Sequence, residues 1–180
     1  VERVVATGYG RNSLSFAHRT VTEILCHGAG VRFAYPHVRM VIDIGGQDSK
    51  VIALDEKGHV ADFAMNDKCA AGTGRFLEVM ARALEVDLEA FGSLSGRAER
   101  PSAISSICTV FAESEVISLL AKGEGRENII AGIHDAVASR VSSLVHRVGL
   151  RKPLMMTGGV AMNGGVVKSL ENRLKLTIEV

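Results

Sequence analysis

Residues 40–54 read Met-Val-Ile-Asp-Ile-Gly-Gly-Gln-Asp-Ser-Lys-Val-Ile-Ala-Leu, two apolar runs separated by a glycine turn. The first run, Met40–Ile44, is almost continuously apolar, which is typical of a strand buried on both faces of a sheet. The second run, residues 50–54, returns after the turn. A further strand is predicted over residues 59–64, after a polar turn at 56–58. Consecutive strands joined by such short turns pair antiparallel, so we predict a three-stranded meander.

Helical periodicity follows the meander. Phe76, Met80 and Leu84 recur every four residues and predict an amphipathic helix. The longest helix is predicted where apolar residues step by three or four positions, at Ile130, Ile133, Val137, Val141, Leu144 and Val148. A strand at residues 154–157 then ends at two glycines and leads into a last helix. This order indicates an α/β protein with a mixed sheet and counts against the simple βαβ alternation of a Rossmann fold.

Shorter elements are predicted before the meander. Residues 4–7 have the pattern of a strand, and a turn follows at residues 8–11. A helix is predicted through residues 21–26. It is expected to end near Gly28 and Gly30, because glycine readily adopts the conformation that closes a helix.

Composition excludes several classes of function. Of the 180 residues, 47% are hydrophobic and 23% charged, and the net charge is +1 with no cluster of basic residues, so nothing favours nucleic-acid binding. No apolar run approaches the ~20 residues of a membrane span, and no signal segment opens the chain, which predicts a cytoplasmic location. Three cysteines, an odd number, argue against a disulfide framework. Because the chain begins at Val1 and ends in strand-like residues 177–180, we expect an internal piece of a longer protein.

The turn after the first buried strand has the features of a phosphate-binding loop. Gly45 and Gly46 allow backbone N–H groups to approach phosphate oxygens closely. Asp43, at the end of the strand, could hold Mg²⁺ through water, because Mg²⁺ prefers oxygen ligands and keeps several waters. The alternative is an ordinary hairpin turn in which Asp43 caps backbone amides.

A second glycine turn follows the last predicted strand. Residues 157–163 read Thr-Gly-Gly-Val-Ala-Met-Asn and predict a strand, a turn and a helix start. Nucleotides often lie across such turns, because glycines clear space and the helix N-terminus favours anionic groups. Gly-Gly turns are common, so this one alone is a weak signal. Two such turns, each after a buried strand, reinforce one another.

Cys69 and Cys108 each precede a predicted helix start. A cubane iron–sulfur cluster usually takes four thiolates, and two copies related by a two-fold axis would supply four if each gave two. Helix N-termini favour anionic groups such as a thiolate-held cluster. The alternative for any cytosolic cysteine is a buried small apolar residue, which we apply to Cys26 within a predicted helix. Residues 72–75 resemble part of a phosphate loop, but no Gly-Lys-Ser/Thr follows, which excludes a Walker loop.

Four motifs taken together resemble one family. They are residues 43–48 (Asp-Ile-Gly-Gly-Gln-Asp), 66–76 (Asn-Asp-Lys-Cys-Ala-Ala-Gly-Thr-Gly-Arg-Phe), 108–115 (Cys-Thr-Val-Phe-Ala-Glu-Ser-Glu) and 157–163. The family is that of the ATP-dependent activators of 2-hydroxyacyl-CoA dehydratases, and the ATPase subunits of benzoyl-CoA reductase have similar motifs. The resemblance runs over essentially the whole chain, including residues 8–11.

This resemblance implies the fold of sugar kinases, actin and heat-shock chaperone ATPases, a ribonuclease H-like mixed sheet with helices in which nucleotide binds between two lobes. Residues 1–38 would be the remainder of the N-terminal lobe, and residues 39–180 the C-terminal lobe with the cluster-binding helices. Family members open with a phosphate-loop hairpin and finish with a closing helix, and we expect both to be missing from these 180 residues. The piece alone is therefore expected to bind ATP poorly.

The resemblance also assigns the nucleotide site. It places Gly45, Gly46 and Gln47 at the phosphates of ATP or ADP, with Mg²⁺ as the accompanying ion. Asp43 and Gln47 would be the catalytic residues. The adenosine side would be formed by Gly158, Gly159, Val160 and Asn163.

For the thiols, the resemblance implies a single [4Fe–4S] cluster bridged between the two subunits of a homodimer by Cys69 and Cys108. The protein would be an ATP-driven one-electron donor, charged by reduced ferredoxin or flavodoxin. ATP binding and hydrolysis would change the angle between the cluster-bearing helices and send the electron to a partner dehydratase. A cluster shared between subunits also predicts sensitivity to oxygen, and hence an anaerobic setting.

Three other functions stay open. One is the close variant, an ATPase subunit of a benzoyl-CoA reductase-type enzyme, which sequence separates poorly from an activator. Another is a redox-inert, sugar kinase-like ATPase of the same fold, for which the sequence offers no convincing catalytic acid near a sugar pocket. The last is a non-catalytic interaction module in which Cys69 and Cys108 bind zinc. The sequence names neither the acyl-CoA nor the physiological electron donor.

Overall fold

A computed structural model of the protein describes residues 2–105 and 108–180. The strands are β1 (Val5–Ala6), β2 (Arg19–Thr20), β3 (Met40–Ile44), β4 (Ser49–Leu54), β5 (Val60–Asn66) and β6 (Leu154–Thr157). The helices are α1 (Glu23–Ala34), α2 (Gly74–Ala83), α3 (Phe91–Ser95), α4 (Thr109–Ala121), α5 (Arg126–Val148) and α6 (Gly164–Leu174). Short 3₁₀ turns cover Tyr9–Ser13, Leu88–Ala90 and Gly159–Met162.

The central sheet has four strands in the order β5-β4-β3-β6. The first three pair antiparallel, and β6 pairs parallel with β3. The meander and the mixed sheet predicted from sequence are therefore confirmed. A separate parallel pair, β1 with β2, lies near the N-terminus, and β2 was not foreseen.

Each face of the sheet carries its own apolar layer, because side chains alternate along a strand. On β3, Met40, Ile42 and Ile44 face the larger core, which also contains residues of α2, α4, α5 and α6. Val41, between them, faces the smaller cluster that includes Val31 of α1. Both faces of β3 are thus covered, as its continuous apolar run predicted.

Helix α1 does not end near Gly28 or Gly30 as predicted, but continues to Ala34. Gly28 is buried, and a Cβ built there would lie only 2.6 Å from a methyl group of Val60 on β5. Close packing of α1 on the sheet therefore explains why this position is a glycine. Thr22 caps the start of the helix by accepting a hydrogen bond from the Leu25 N–H (3.4 Å).

Two further differences concern short elements. The turn Leu88–Ala90 and helix α3 were not predicted from the sequence. The strand-like residues 177–180 make a single parallel bridge, from Glu179 to Met155 of β6. The division into lobes at residues 38 and 39 stays a prediction; α1, before that boundary, packs against β4 and β5 beyond it. No helix within residues 2–105 and 108–180 is long and apolar enough to cross a membrane.

Candidate active site

The sheet register places two polar side chains directly beside Asp43. Asp43 pairs with Lys50 on β4 and with Thr157 on β6. The Thr157 hydroxyl donates to Asp43 Oδ1 (2.9 Å). Asp43 Oδ2 lies 3.5 Å from Lys50 Nζ and 3.7 Å from Nδ1 of His27, which reaches in from α1. The carboxylate is therefore held by side chains from three neighbouring elements.

Lys50 is the hub of a buried charge cluster. Its side chain is only 3% exposed, and Nζ lies 2.7 Å from Asp48 Oδ1 and 3.0 Å from Glu23 Oε1. Burial alone would lower the pKa of Lys50, but the hydrogen bonds to Asp48 and Glu23 outweigh it and raise the pKa above its usual value. Lys50 is therefore a permanent positive charge beside the predicted phosphate turn.

The two glycine turns meet at the end of β3. Gly158 has a positive φ of 85°, and a Cβ there would collide with the Ile44 carbonyl and with Asp43 Oδ1. Both the conformation and the close approach require glycine at this position. The first turn is closed by the Gly45 N–H, which donates to the Asp48 carbonyl (3.0 Å).

A cleft of about 400 Å³ lies between the turns. Its walls come from both turns and from α2 and α3, and they include five of the predicted nucleotide residues: Gly45, Gly46, Gly159, Val160 and Asn163. Gly158 lies at the base of the second turn. Gln47 does not line this cleft; it lines the neighbouring groove of about 550 Å³ together with Gly46 and Cys69.

Asn163 is fixed on one side of the cleft. Its Oδ1 accepts from the Gly165 and Val166 N–H groups (3.0 and 3.2 Å) and so caps α6. Its Nδ2 lies 3.3 Å from Nε2 of His134, a fully buried residue of α5. Burial lowers the pKa of His134 to about 4, so the ring is neutral at neutral pH and Nε2 can accept from the amide.

The first glycine turn is bonded to the start of α2. The Gly74 N–H donates to the Gly45 carbonyl (2.8 Å), and the Arg75 N–H donates to the Gly46 carbonyl (2.9 Å). A Cβ on Gly74 would approach the Gly45 carbonyl oxygen to 3.2 Å. We call this pair of hydrogen bonds the α2 clamp. It joins a wall of the cleft to the helix that follows Cys69.

The Cys69 segment, residues 66–73, is braced from within. Asn66 Nδ2 donates to the carbonyls of Cys69 (2.8 Å) and Ala71 (2.9 Å). The Thr73 hydroxyl, fully buried, donates to the Ala70 carbonyl (2.6 Å). Cys69 itself is half-buried and free. The loop between β5 and α2 thus holds the thiol in a defined place beside the 550 Å³ groove.

Cys108 lies in a different setting. It is the N-cap of α4, is exposed, and within residues 2–105 and 108–180 its side chain makes no cap hydrogen bond. Val110 and Phe111, next to it, are each 67% exposed. The preceding motif residues Ser106 and Ile107 lie outside the described part of the chain. Helix α4 packs against α2, so the helices that follow the two thiols are neighbours.

The donor set fits half of a cubane cluster. Among the described residues, no group of three or more His, Cys, Asp and Glu side chains could hold a metal ion. Of these candidate ligands one chain offers two free thiols, Cys69 in the loop that leads into α2 and Cys108 at the N-cap of α4, and a four-thiolate cluster requires two more. Cys26 lies within α1, as predicted, but is half-buried rather than buried.

Several residues of the site were not found from sequence, namely Lys50, Asp48, Glu23, His27, Asn66 and Thr157. Lys50 gave one usable signal, since a charged residue inside a buried strand requires partners. His27 was given no role in the site from the sequence, and its Nε2 lies 3.1 Å from the Thr157 hydroxyl. Because that hydroxyl donates its proton to Asp43, it accepts from His27, which fixes the proton on Nε2.

The sequence profile of the BadF/BadG/BcrA/BcrD ATPase family matches residues 1–180. The chain belongs to this ATPase family. The family resemblance drawn from the glycine and cysteine motifs is thereby confirmed.

Relatives in this ATPase family carry functional names. The 2-hydroxyisocaproyl-CoA dehydratase activator of Clostridioides difficile is 52% identical over 180 residues, 100% of this chain and 68% of that protein. The (R)-2-hydroxyglutaryl-CoA dehydratase activating ATPase of Acidaminococcus fermentans is 56% identical over 176 residues, 97% of this chain and 67% of that protein. A benzoyl-CoA reductase subunit of Thauera aromatica is 38% identical over 176 residues, 97% and 62% of the two lengths.

Solved structures agree on the fold. The activator of 2-hydroxyisocaproyl-CoA dehydratase from Clostridium difficile with bound ADPNP matches with a TM-score of 0.91 and 52% identity, covering 100% of this chain and 67% of that one. MreB 5 of Spiroplasma citri bound to AMPPNP matches with a TM-score of 0.50 at 12% identity, covering 97% and 61%, and shows the fold alone. The predicted sugar kinase and actin-like ATPase fold is confirmed.

Proposed function

We propose that the protein is the ATP-hydrolysing activator of a 2-hydroxyacyl-CoA dehydratase, to which it delivers single electrons. The observation that carries this proposal is the α2 clamp, because it bonds the predicted phosphate turn to the helix that follows Cys69. The names of the relatives agree with an ATPase that activates such a dehydratase.

ATP would lie in the cleft between the glycine turns. The backbone N–H of Gly46 would approach its phosphates, with Gln47 next to it, whereas the Gly45 N–H is bonded to the Asp48 carbonyl. The residues of the second turn, Gly158 to Asn163, would hold the adenosine side. Asp43, fixed by Thr157, would hold Mg²⁺ through water and orient the water that attacks the terminal phosphate.

Two copies of the chain would share one [4Fe–4S] cluster, each giving Cys69 and Cys108. When bound, the cluster stores and transfers one electron. The exposed apolar residues beside Cys108, Val110 and Phe111, support a second copy as the occupant of this face, since that copy completes the ligand count. The N-terminal turns of α2 and α4 would direct their positive dipole ends at an anionic cluster.

ATP would act on the thiol region through the clamp. Closing the cleft around ATP and Mg²⁺ moves the Gly45–Gly46 carbonyls, and the N-terminus of α2 is bonded to them and moves as well. Because α2 packs against α4, the angle between these two helices, which follow Cys69 and Cys108, would change. The electron would come from a reduced ferredoxin or flavodoxin and leave to the dehydratase.

The same family contains benzoyl-CoA reductase subunits, which leaves an ATPase of that type as the second candidate. Identity to the Thauera aromatica protein is 38%, against 52% and 56% for the two dehydratase activators, and this difference favours the activator. Adding each purified partner enzyme to the full-length protein with its substrate distinguishes the two candidates.

The proposal is tested by purifying the full-length protein without oxygen and assaying iron and sulfide. About four iron and four sulfide per dimer are expected, and each of Cys69→Ala and Cys108→Ala should lose them. Cys26→Ala is the matched control and should keep the full iron content. A folded dimer that binds ATP but contains no iron would overturn electron transfer and favour a redox-inert kinase-like ATPase, whereas zinc in place of iron would favour the structural module.

A further inference from the structure

Lys50 has no place in the predicted nucleotide site, although it lies beside that site. Its ammonium is within 3.5 Å of three carboxylates, Glu23 on α1, Asp43 on β3 and Asp48 in the first glycine turn. The strand register is responsible for the contact with Asp43, since Lys50 lies directly opposite it on β4.

Lys50 is poorly suited to bind phosphate itself. Its side chain is 3% exposed, and its three N–H bonds face three carboxylate groups within the described chain. A phosphate could reach the ammonium only after these contacts were broken in a buried position, where unpaired charges are costly. Any effect of Lys50 on the nucleotide must therefore act through Asp43 or Asp48.

Of the three carboxylates, Asp43 is the one predicted to act in catalysis, although it lies farther from Lys50 Nζ than Asp48 and Glu23 do. Thr157 bonds one carboxylate oxygen, and Lys50 lies 3.5 Å from the other. With one partner on each neighbouring strand, the plane of the carboxylate is fixed. We propose that Lys50 is a positioning residue for ATP hydrolysis, which fixes the Asp43 carboxylate in the orientation needed for Mg²⁺ and the attacking water. This inference rests on the proposed ATPase function.

The charge balance determines how the idea must be tested. Three carboxylates against one ammonium leave a net formal charge of −2 in the cluster, His27 aside. Lys50→Met alone would leave three uncompensated carboxylates in a largely buried place and could simply unfold the protein. Lys50→Met combined with Asp48→Asn removes one charge of each sign and keeps the balance.

The experiment measures ATP turnover by the full-length protein with Mg²⁺, expressed per bound nucleotide so that unfolded material does not count. Asp48→Asn is compared with the Lys50→Met, Asp48→Asn double variant. Lys50→Met with Glu23→Gln, compared with Glu23→Gln alone, is the second charge-balanced pair. Lys57→Met, in the exposed turn after β4, is the matched control and should behave as the native protein.

The expected result is a kcat at least about tenfold lower when Lys50 is absent, with KM for ATP changed less than about twofold. A folded double variant with the same kcat as its reference, Asp48→Asn or Glu23→Gln alone, would overturn the proposal. Lys50 would then have only a structural role. A raised KM at unchanged kcat would overturn it as well, since Lys50 would then act in binding.

Failure of the proposed function itself has a separate signature. If the native full-length protein binds ADP but hydrolyses no ATP, the proposed ATPase activity is wrong. The positioning role of Lys50 is then tested by measuring ADP affinity with and without Mg²⁺. The account then expects the gain in ADP affinity from Mg²⁺ to be present in Asp48→Asn and lost in the double variant. An equal gain in both would overturn the positioning role.

Discussion

The two glycine turns line the same cleft but are bonded to different parts of the molecule. The first turn, at Gly45 and Gly46, is connected through the α2 clamp to the helix after Cys69. The second turn is anchored inward, with Gly158 against the end of β3 and Asn163 bonded to buried His134. Under the proposed function the two turns would therefore have different tasks: the first would transmit nucleotide binding to a thiol, and the second would hold the nucleotide.

The largest loss of stability is expected from a substitution that disrupts the second turn. Gly158→Ala would force a side chain into a positive-φ position and against the Ile44 carbonyl. We expect a loss of about 3–5 kcal/mol in the free energy of unfolding, measured by chemical denaturation. Gly159→Ala, one position on, has open space and should change stability by less than ~0.5 kcal/mol. Equal losses in both variants would show that the second turn is not anchored as described.

The anchor at His134 predicts a pH dependence. Burial lowers the pKa of His134 to about 4, below the ~6.5 of an unfolded chain. The unfolded state therefore binds more protons between these values, and stability is full above pH ~6.5 and falls as the pH drops toward 4. The loss should be about 3 kcal/mol on this account.

His134→Gln should remove most of this pH dependence while keeping an acceptor for Asn163. His146→Gln, at an exposed position of α5, should leave the dependence as it is in the native protein. The measurement is the free energy of unfolding at a series of pH values. An unchanged slope in His134→Gln would contradict the anchor.

A smaller effect is expected at the Cys69 segment. Asn66→Ala removes the donors to the Cys69 and Ala71 carbonyls, at about 1 kcal/mol each. Stability should fall by about 2 kcal/mol, and the Cys69 thiol of the cluster-free protein should react faster with a thiol reagent because its loop loosens. Asn172→Ala, on the exposed side of α6, should change neither quantity. Unchanged reactivity in Asn66→Ala would mean that the brace does not hold the thiol.

The smallest change in stability is expected at the clamp. Gly74→Ala gains helix propensity but brings a Cβ to 3.2 Å from the Gly45 carbonyl oxygen, so the net effect should stay below about 1 kcal/mol. The response of Cys69 reactivity to ATP should nevertheless weaken, because the clamp is displaced. Gly164→Ala, at the first residue of α6 with open space around it, is the control. If ATP changes Cys69 reactivity equally in Gly74→Ala and the native protein, the clamp does not transmit nucleotide binding.

Local patterns were enough to predict the meander, the mixed sheet and both glycine turns, because alternation of apolar residues and glycine placement are short-range properties. They failed where the cause is long-range. The helix-ending role given to Gly28 was wrong because its packing partner is on β5. Lys50 and Thr157 join Asp43 only through the sheet register, and Asn66 braces Cys69 only once β5 has ended beside the loop.

The roles of Cys69 and Cys108 came from the family resemblance and the ligand count, and they stay predictions. What the fold adds is the asymmetry between them. Cys69 is half-buried, braced and followed by the helix that the α2 clamp bonds to a wall of the cleft, whereas Cys108 is exposed beside Val110 and Phe111. Under the proposed function, the first thiol would respond to nucleotide and the second to a partner.

The claim that nucleotide acts on Cys69 through the first turn is tested most directly by amide hydrogen exchange. The full-length protein, kept anaerobic, is compared with and without ATP and Mg²⁺. The account predicts that exchange changes at residues 69–75, including the clamp amides of Gly74 and Arg75, as well as at the cleft-lining residues 158–163. Protection at residues 158–163 with no change at residues 69–75 would contradict it.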